Sequence, residues 1–82
     1  MTNSETQTRR EAMTICSQTK TSEFGTNEIR YSIEMNEENK PTEKMRISYY
    51  RQGNYQTTEV CTKEKARRMY SAYRADGYEQ AN

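Results

Sequence analysis

The strongest constraint on this chain is the stretch 62–78, TKEKARRMYSAYRADGY, where a helix start, a helix period and a helix stop coincide. The Thr62 hydroxyl can accept a hydrogen bond from an unpaired N–H of the first turn. Glu64 puts a negative charge where the helix dipole favours one. Ala66, Met69, Tyr70 and Tyr73 recur at i, i+3, i+4 and i+7 and form one apolar stripe. Gly77 supplies the left-handed residue of a Schellman ending, which would fold Tyr78 back on Tyr73. One apolar stripe must be buried against another element, and the upstream residues supply it.

Residues 28–36 have period two. Ile29, Tyr31, Ile33 and Met35 face one way, and Arg30, Ser32 and Glu34 the other, as in a half-buried antiparallel strand. Residues 43–51 repeat the pattern, with Met45, Ile47 and Tyr49 opposed to Lys44, Arg46, Ser48 and Tyr50. Pairing Ile33 with Met45 sets Tyr31 opposite Ile47 and Ile29 opposite Tyr49, which keeps every apolar side chain on one face. The polar residues 37–42, EENKPT, form the loop between them.

Gly53-Asn54 predicts a two-residue hairpin turn. That turn would pair Gln52 with Tyr55, Tyr49 with Thr58 and Ile47 with Val60. Thr58 and Val60 then join the buried face, while Tyr55, Thr57 and Glu59 join the outer one. Residues 9–19 read as a strand, because Met13 and Ile15 alternate with Thr14 and Cys16; a short helix is the other reading. Residues 20–27 read as a loop, with Phe24 as its anchor and Gly25 as its turn residue. Residues 1–8 read as a flexible tail and 79–82 as a fraying end. The expected fold is one α+β domain over residues 9–82. It is an antiparallel β-meander of three or four strands with one C-terminal α-helix packed on one face.

Such a core is small. A chain of 82 residues buries only roughly 60–65% of its unfolded surface. With no Leu and no Trp, but seven Tyr and five Met, tyrosine and methionine must fill much of it. Buried tyrosines then need partners for their hydroxyls.

The chemistry available is limited. The chain has no His, which removes the usual general base and the commonest metal ligand. Cys16 and Cys61 form no CxxC, and no phosphate-binding or nucleophile-elbow motif is present. Glu37 and Glu38 adjoin in a loop, where a solvated pair is the simpler reading than an acid/base dyad. No catalytic residue, metal or cofactor is expected.

Two surfaces could bind. The outer sheet face would show Arg30, Arg46, Tyr50 and Tyr55, and Arg and Tyr dominate binding hot spots. Cross-strand bracing of the hairpin is the simpler reading of those side chains, with Tyr50 diagonal to Tyr55 and Arg46 diagonal to Glu59. Glu34 and Glu59 on that face argue against phosphate as its ligand. The second surface is a basic helix edge of Lys63, Arg67 and Arg74 beside Tyr70, which could meet phosphates or an acidic protein. Net charge is +1, but residues 1–43 carry five basic and eight acidic residues (net −3), and residues 44–82 carry eight and four (net +4). The leading expectation is a non-catalytic protein-binding domain that uses the sheet face; the alternative is a nucleic-acid binder that uses either the basic and aromatic sheet face or the basic helix edge. No apolar run has membrane-spanning length, and none follows Met1 as a signal peptide would require, so a cytoplasmic protein with no membrane partner is expected.

The ending TKEKARRMYSAYRADGYEQ, through Thr62, Glu64, Ala66, Arg67, Gly77 and Tyr78, resembles the C-terminal cassette of small uncharacterised accessory proteins of tailed phages, especially those of cyanobacteria. The resemblance covers about a quarter of the chain. It implies a viral protein made in the host cytoplasm that binds host machinery, as some anti-CRISPR inhibitors do. It carries no catalytic residue over.

A reduced compartment predicts free thiols. Alkylation after purification without reductant, followed by mass spectrometry of the unfolded chain, should label both Cys16 and Cys61. A Cys16–Cys61 bridge would contradict the expectation.

Overall fold

Alternation over two neighbouring segments produces the centre of the structure. In the computed structural model, which describes residues 14–81, β2 (Gly25–Met35) and β3 (Pro41–Arg51) pair antiparallel with Ile33 opposite Met45, Tyr31 opposite Ile47 and Ile29 opposite Tyr49. Asn36 closes the loop between them, its Oδ1 accepting the N–H groups of Glu38 and Lys40. β1 (Thr14–Ser22) flanks β2, and β4 (Asn54–Thr62) flanks β3. The helix α1 (Lys63–Ala75) leaves the end of β4, and β5 (Glu79–Gln80) pairs with β1. The sheet therefore has five strands in the order β4-β3-β2-β1-β5, all antiparallel. The helix carries the chain from one edge across the inner face to the other.

The helix ends are as the sequence implies. Thr62 Oγ1 accepts the Lys65 N–H at 3.1 Å. Gly77 takes φ +104°, Gly77 N donates to Arg74 O, and Tyr78 N donates to Tyr73 O, the paired bonds of a Schellman ending. The Tyr73 and Tyr78 rings meet edge to face at 5.2 Å between centroids.

Four expectations are corrected. Residues 20–27 are not a loop: β1 and β2 run to Ser22 and Gly25, and only Glu23 and Phe24 turn. Phe24 is no anchor, for it lies 78% exposed at a hairpin tip beyond the core. Residues 79–80 do not fray, because Gln80 and Glu79 pair with Gln18 and Thr19, and Ala81 N donates to Ser17 O. These additions raise the strand number above three or four. Of the segment 9–19, the described part is strand; the tail over residues 1–8 lies outside the described residues.

The fourth correction is a slip of one residue in β4. The turn is Gln52-Gly53, both with positive φ (52° and 82°), closed by Arg51 opposite Asn54. A bulge follows, so that Tyr50 pairs with Tyr55 but Tyr49 pairs with Thr57 and Ile47 with Glu59. One residue of slip exchanges the faces. Glu59 and Cys61 point inward, and Thr58 and Val60 point outward.

The core consists of Ile29, Tyr31, Met45, Ile47, Cys61 and Ala66, with Met69, Tyr70 and Tyr73 half-buried on the helix. Tyr31 packs edge to face on Tyr70 (5.6 Å) and Tyr49 on Tyr73 (6.4 Å), joining sheet to helix. Gln18 is fully buried between them. Its Oε1 accepts the Tyr31 hydroxyl at 2.5 Å, and its Nε2 donates to Tyr70 O at 3.0 Å. Tyr49 donates to Glu59 Oε1, and Tyr70 to Gln80 Oε1. Among the described residues no buried side-chain polar atom lacks a partner.

Ile47→Ala should cost about 2–4 kcal/mol, whereas Met69→Ala, at a half-buried position, should cost roughly half as much. Gln18→Leu should cost about 1–3 kcal/mol because it leaves the Tyr31 hydroxyl buried without an acceptor. Denaturant melts measure all three. A neutral Gln18→Leu together with a neutral Ile47→Ala would contradict this packing.

Candidate functional site

The helix covers one face of the sheet, so strand alternation hands the other face whatever β2 and β3 do not bury. On β2 that is Glu28, Arg30, Ser32 and Glu34; on β3 it is Arg46, Ser48 and Tyr50. Arg30 lies opposite Ser48 and Ser32 opposite Arg46, which places Arg30 diagonal to both Tyr50 and Arg46. The Arg30 guanidinium sits over the Tyr50 ring, 4.1 Å from its centroid. It also forks onto Glu28, with Nε to Oε2 at 3.1 Å and Nη2 to Oε1 at 3.3 Å. Tyr50 meets Tyr55 edge to face at 5.8 Å, and the Tyr55 hydroxyl donates to Thr58 Oγ1 at 2.7 Å. Arg46 Nε bonds Glu34 Oε1 at 2.8 Å, and that hydrogen bond pushes the guanidinium pKa up.

Arg30, Arg46, Tyr50 and Tyr55 are thus brought together on the outer face, which no other element covers among the described residues. A concavity of about 380 Å³ includes Arg30, Ser32, Arg46, Ser48 and Tyr50 of this face and runs to Asn36 and Glu37 at the β2–β3 loop. Tyr55 stands beyond Tyr50 and is 58% exposed. Two details depart from expectation. Tyr50 and Tyr55 are directly opposite, not diagonal. The partner of Arg46 is Glu34, since the slip in β4 takes Glu59 to the inner face, where it pairs with Lys65 at 3.4 Å. Both arginines of the strip are therefore charge-matched within the chain. Alternation alone had placed Glu34 on this face, but the fork from Arg30 to Glu28 was not foreseen.

The basic helix edge divides. Lys63 and Arg67 are exposed at the mouth of an apolar groove of about 330 Å³ that includes Ile15, Cys16, Ile33 and Met45. Arg74 belongs to a separate cleft beside Gly77 and Tyr78. Tyr70 lines both cavities, between the Lys63–Arg67 pair and Arg74.

Among the described residues no group of three His, Cys, Asp or Glu is arranged to hold a metal, and no helix is long and apolar enough to cross a membrane. Cys16 on β1 and Cys61 on β4 are free and separated by two strands, a spacing of roughly 14 Å that no disulfide spans. Burial pushes the Cys16 thiol up, away from thiolate. Comparison with family models, with curated proteins and with solved structures finds no match.

Burial pushes the Tyr31 hydroxyl well above its ordinary value of 10.0, and burial together with the Glu59 hydrogen bond does the same to Tyr49. The folded state thus prefers both phenols neutral, while the unfolded chain ionises them near pH 10. Their contribution to stability is complete below about pH 10 and is lost as pH rises above it. Phenolate absorbance should show two tyrosines ionising only as the fold melts; all seven titrating together in the folded protein would contradict this.

Proposed function

We propose that the chain is a small non-catalytic binding protein whose outer sheet face docks on another protein. The observation that supports this reading is the pre-ordered strip Arg30–Tyr50–Tyr55, in which each side chain is already held by its neighbour. Ordered Tyr and Arg lose little freedom on binding and offer large areas with directional polar atoms. The carboxylates beside Arg30 and Arg46 favour a mixed, uncharged protein surface over a phosphate backbone. A role as a phage accessory factor acting on a host protein fits the C-terminal resemblance.

The second reading is nucleic-acid binding at the start of the helix. Lys63 and Arg67 favour it, since among the described residues neither forms a salt bridge, whereas Lys65 and Arg68 pair with Glu59 and Glu64. A steep fall in affinity with salt would mark that mode.

Capture of partners from the host lysate, followed by binding measurements on variants, separates the two. Tyr50→Ala and Tyr55→Ala should each weaken partner binding by on the order of 1–2 kcal/mol, about 5–30-fold, while leaving the fold intact. Arg67→Ala combined with Arg74→Ala should leave binding nearly unchanged. If the helix pair abolishes binding and the tyrosine changes do nothing, the sheet face is the wrong surface.

A further inference from the structure

The two edges of the sheet are treated differently. The β1 edge is occupied, with β5 paired on Gln18 and Thr19 and Ala81 bonded to Ser17. Among the described residues no strand pairs with the outer edge of β4. Exposed edges are usually guarded by lysine, proline, inward charge or a bulge. β4 has no lysine and no proline. Its bulge falls near the turn, before Thr57, so the segment 57–62 pairs regularly with β3. Its single charge, Glu59, is engaged by Tyr49 and Lys65. At the centre of that segment Val60 points outward, 47% exposed.

We propose that this edge pairs antiparallel with the same edge of a second copy, about a two-fold axis at Val60. A two-fold centred there sets Val60 opposite Val60, Glu59 opposite Cys61 and Thr58 opposite Thr62. The exposed apolar side chain is covered by its twin, and no like charges face each other. A centre one residue earlier would oppose Glu59 to Glu59. Self-complementarity about an apolar residue, with strand hydrogen bonds on both sides, selects a second copy of this chain as the occupant. The two outer faces then continue into one sheet of ten strands.

The seam is short, so the dimer should appear only at high concentration, and sedimentation of the full chain from about 10 µM to about 1 mM covers the range for a small interface. The mass should approach twice that of the chain. Val60→Lys, on the β4 edge opposite Arg46, should hold it monomeric with an unchanged far-UV spectrum. Val60→Cys under oxidised glutathione should yield a covalent dimer. Asn54→Cys should not, because its twin would lie roughly 40 Å away along the strand. A chain monomeric throughout, a Val60→Lys variant that dimerises like the parent, or a Val60→Cys variant that fails to cross-link overturns the proposal.

Discussion

One fully buried amide ties the helix to the sheet beside the ring contacts of Tyr31 with Tyr70 and Tyr49 with Tyr73. Gln18 accepts the Tyr31 hydroxyl and donates to Tyr70 O, so its two ends connect β1 with the neighbouring strand and with the helix backbone. A core without leucine or tryptophan needs such a device. Its bulk comes from tyrosines, and each buried hydroxyl costs free energy unless it is paired. Gln18 serves the buried Tyr31 hydroxyl and Glu59 the half-buried one of Tyr49, while Gln80 takes the exposed hydroxyl of Tyr70. The polar ends of the core are thus closed by residues from β1, β4 and β5, which is why the short last strand belongs to the domain. Lys20 fastens the other end, donating to Asp76 O at 2.7 Å where the helix stops.

Closing one face determines what the other can be. With the helix committed to the inner side, the outer residues of β2 and β3 have no element above them among the described residues, and they organise among themselves. Opposite charges on neighbouring positions of one face pair up, as Arg30 does with Glu28 and Arg46 with Glu34. Exposed pairs of this kind add little stability. Their consequence lies in order: Arg30 is fixed over Tyr50, and Tyr50 is braced by Tyr55, so the surface is shaped before anything meets it.

Much of this was legible in the residues. Strict alternation of β2 and β3 dictated their register, because a slip of one residue would have put the apolar residues of one strand on the opposite face from those of the other. Cap, stripe and Gly77 dictated the helix. β4 was ambiguous for a physical reason. Thr57 and Thr58 are identical, and Val60 and Cys61 are both apolar, so either face of the segment could be buried. Turn geometry decided it, with Gln52 taking a positive φ that a non-glycine residue seldom adopts. Gln18 was illegible, since hydropathy assigns an amide to the surface and only the tertiary fold supplies two buried partners. The strip of Arg30, Arg46, Tyr50 and Tyr55 was legible because it needs only the β2–β3 register and a nearby turn. Its charge balance was not, because the position of Glu59 depended on the slip.

The central claim is that the helix closes one face of the sheet and leaves the other open. Residue-resolved amide hydrogen exchange tests it most directly, since a docked helix and the strands beneath it should open as one unit. The account predicts that α1 amides from Arg67 to Tyr73 are protected as strongly as those of β2 and β3. Helix amides that exchange far faster than the central strands would put the helix off the sheet, expose the inner face as well, and contradict it.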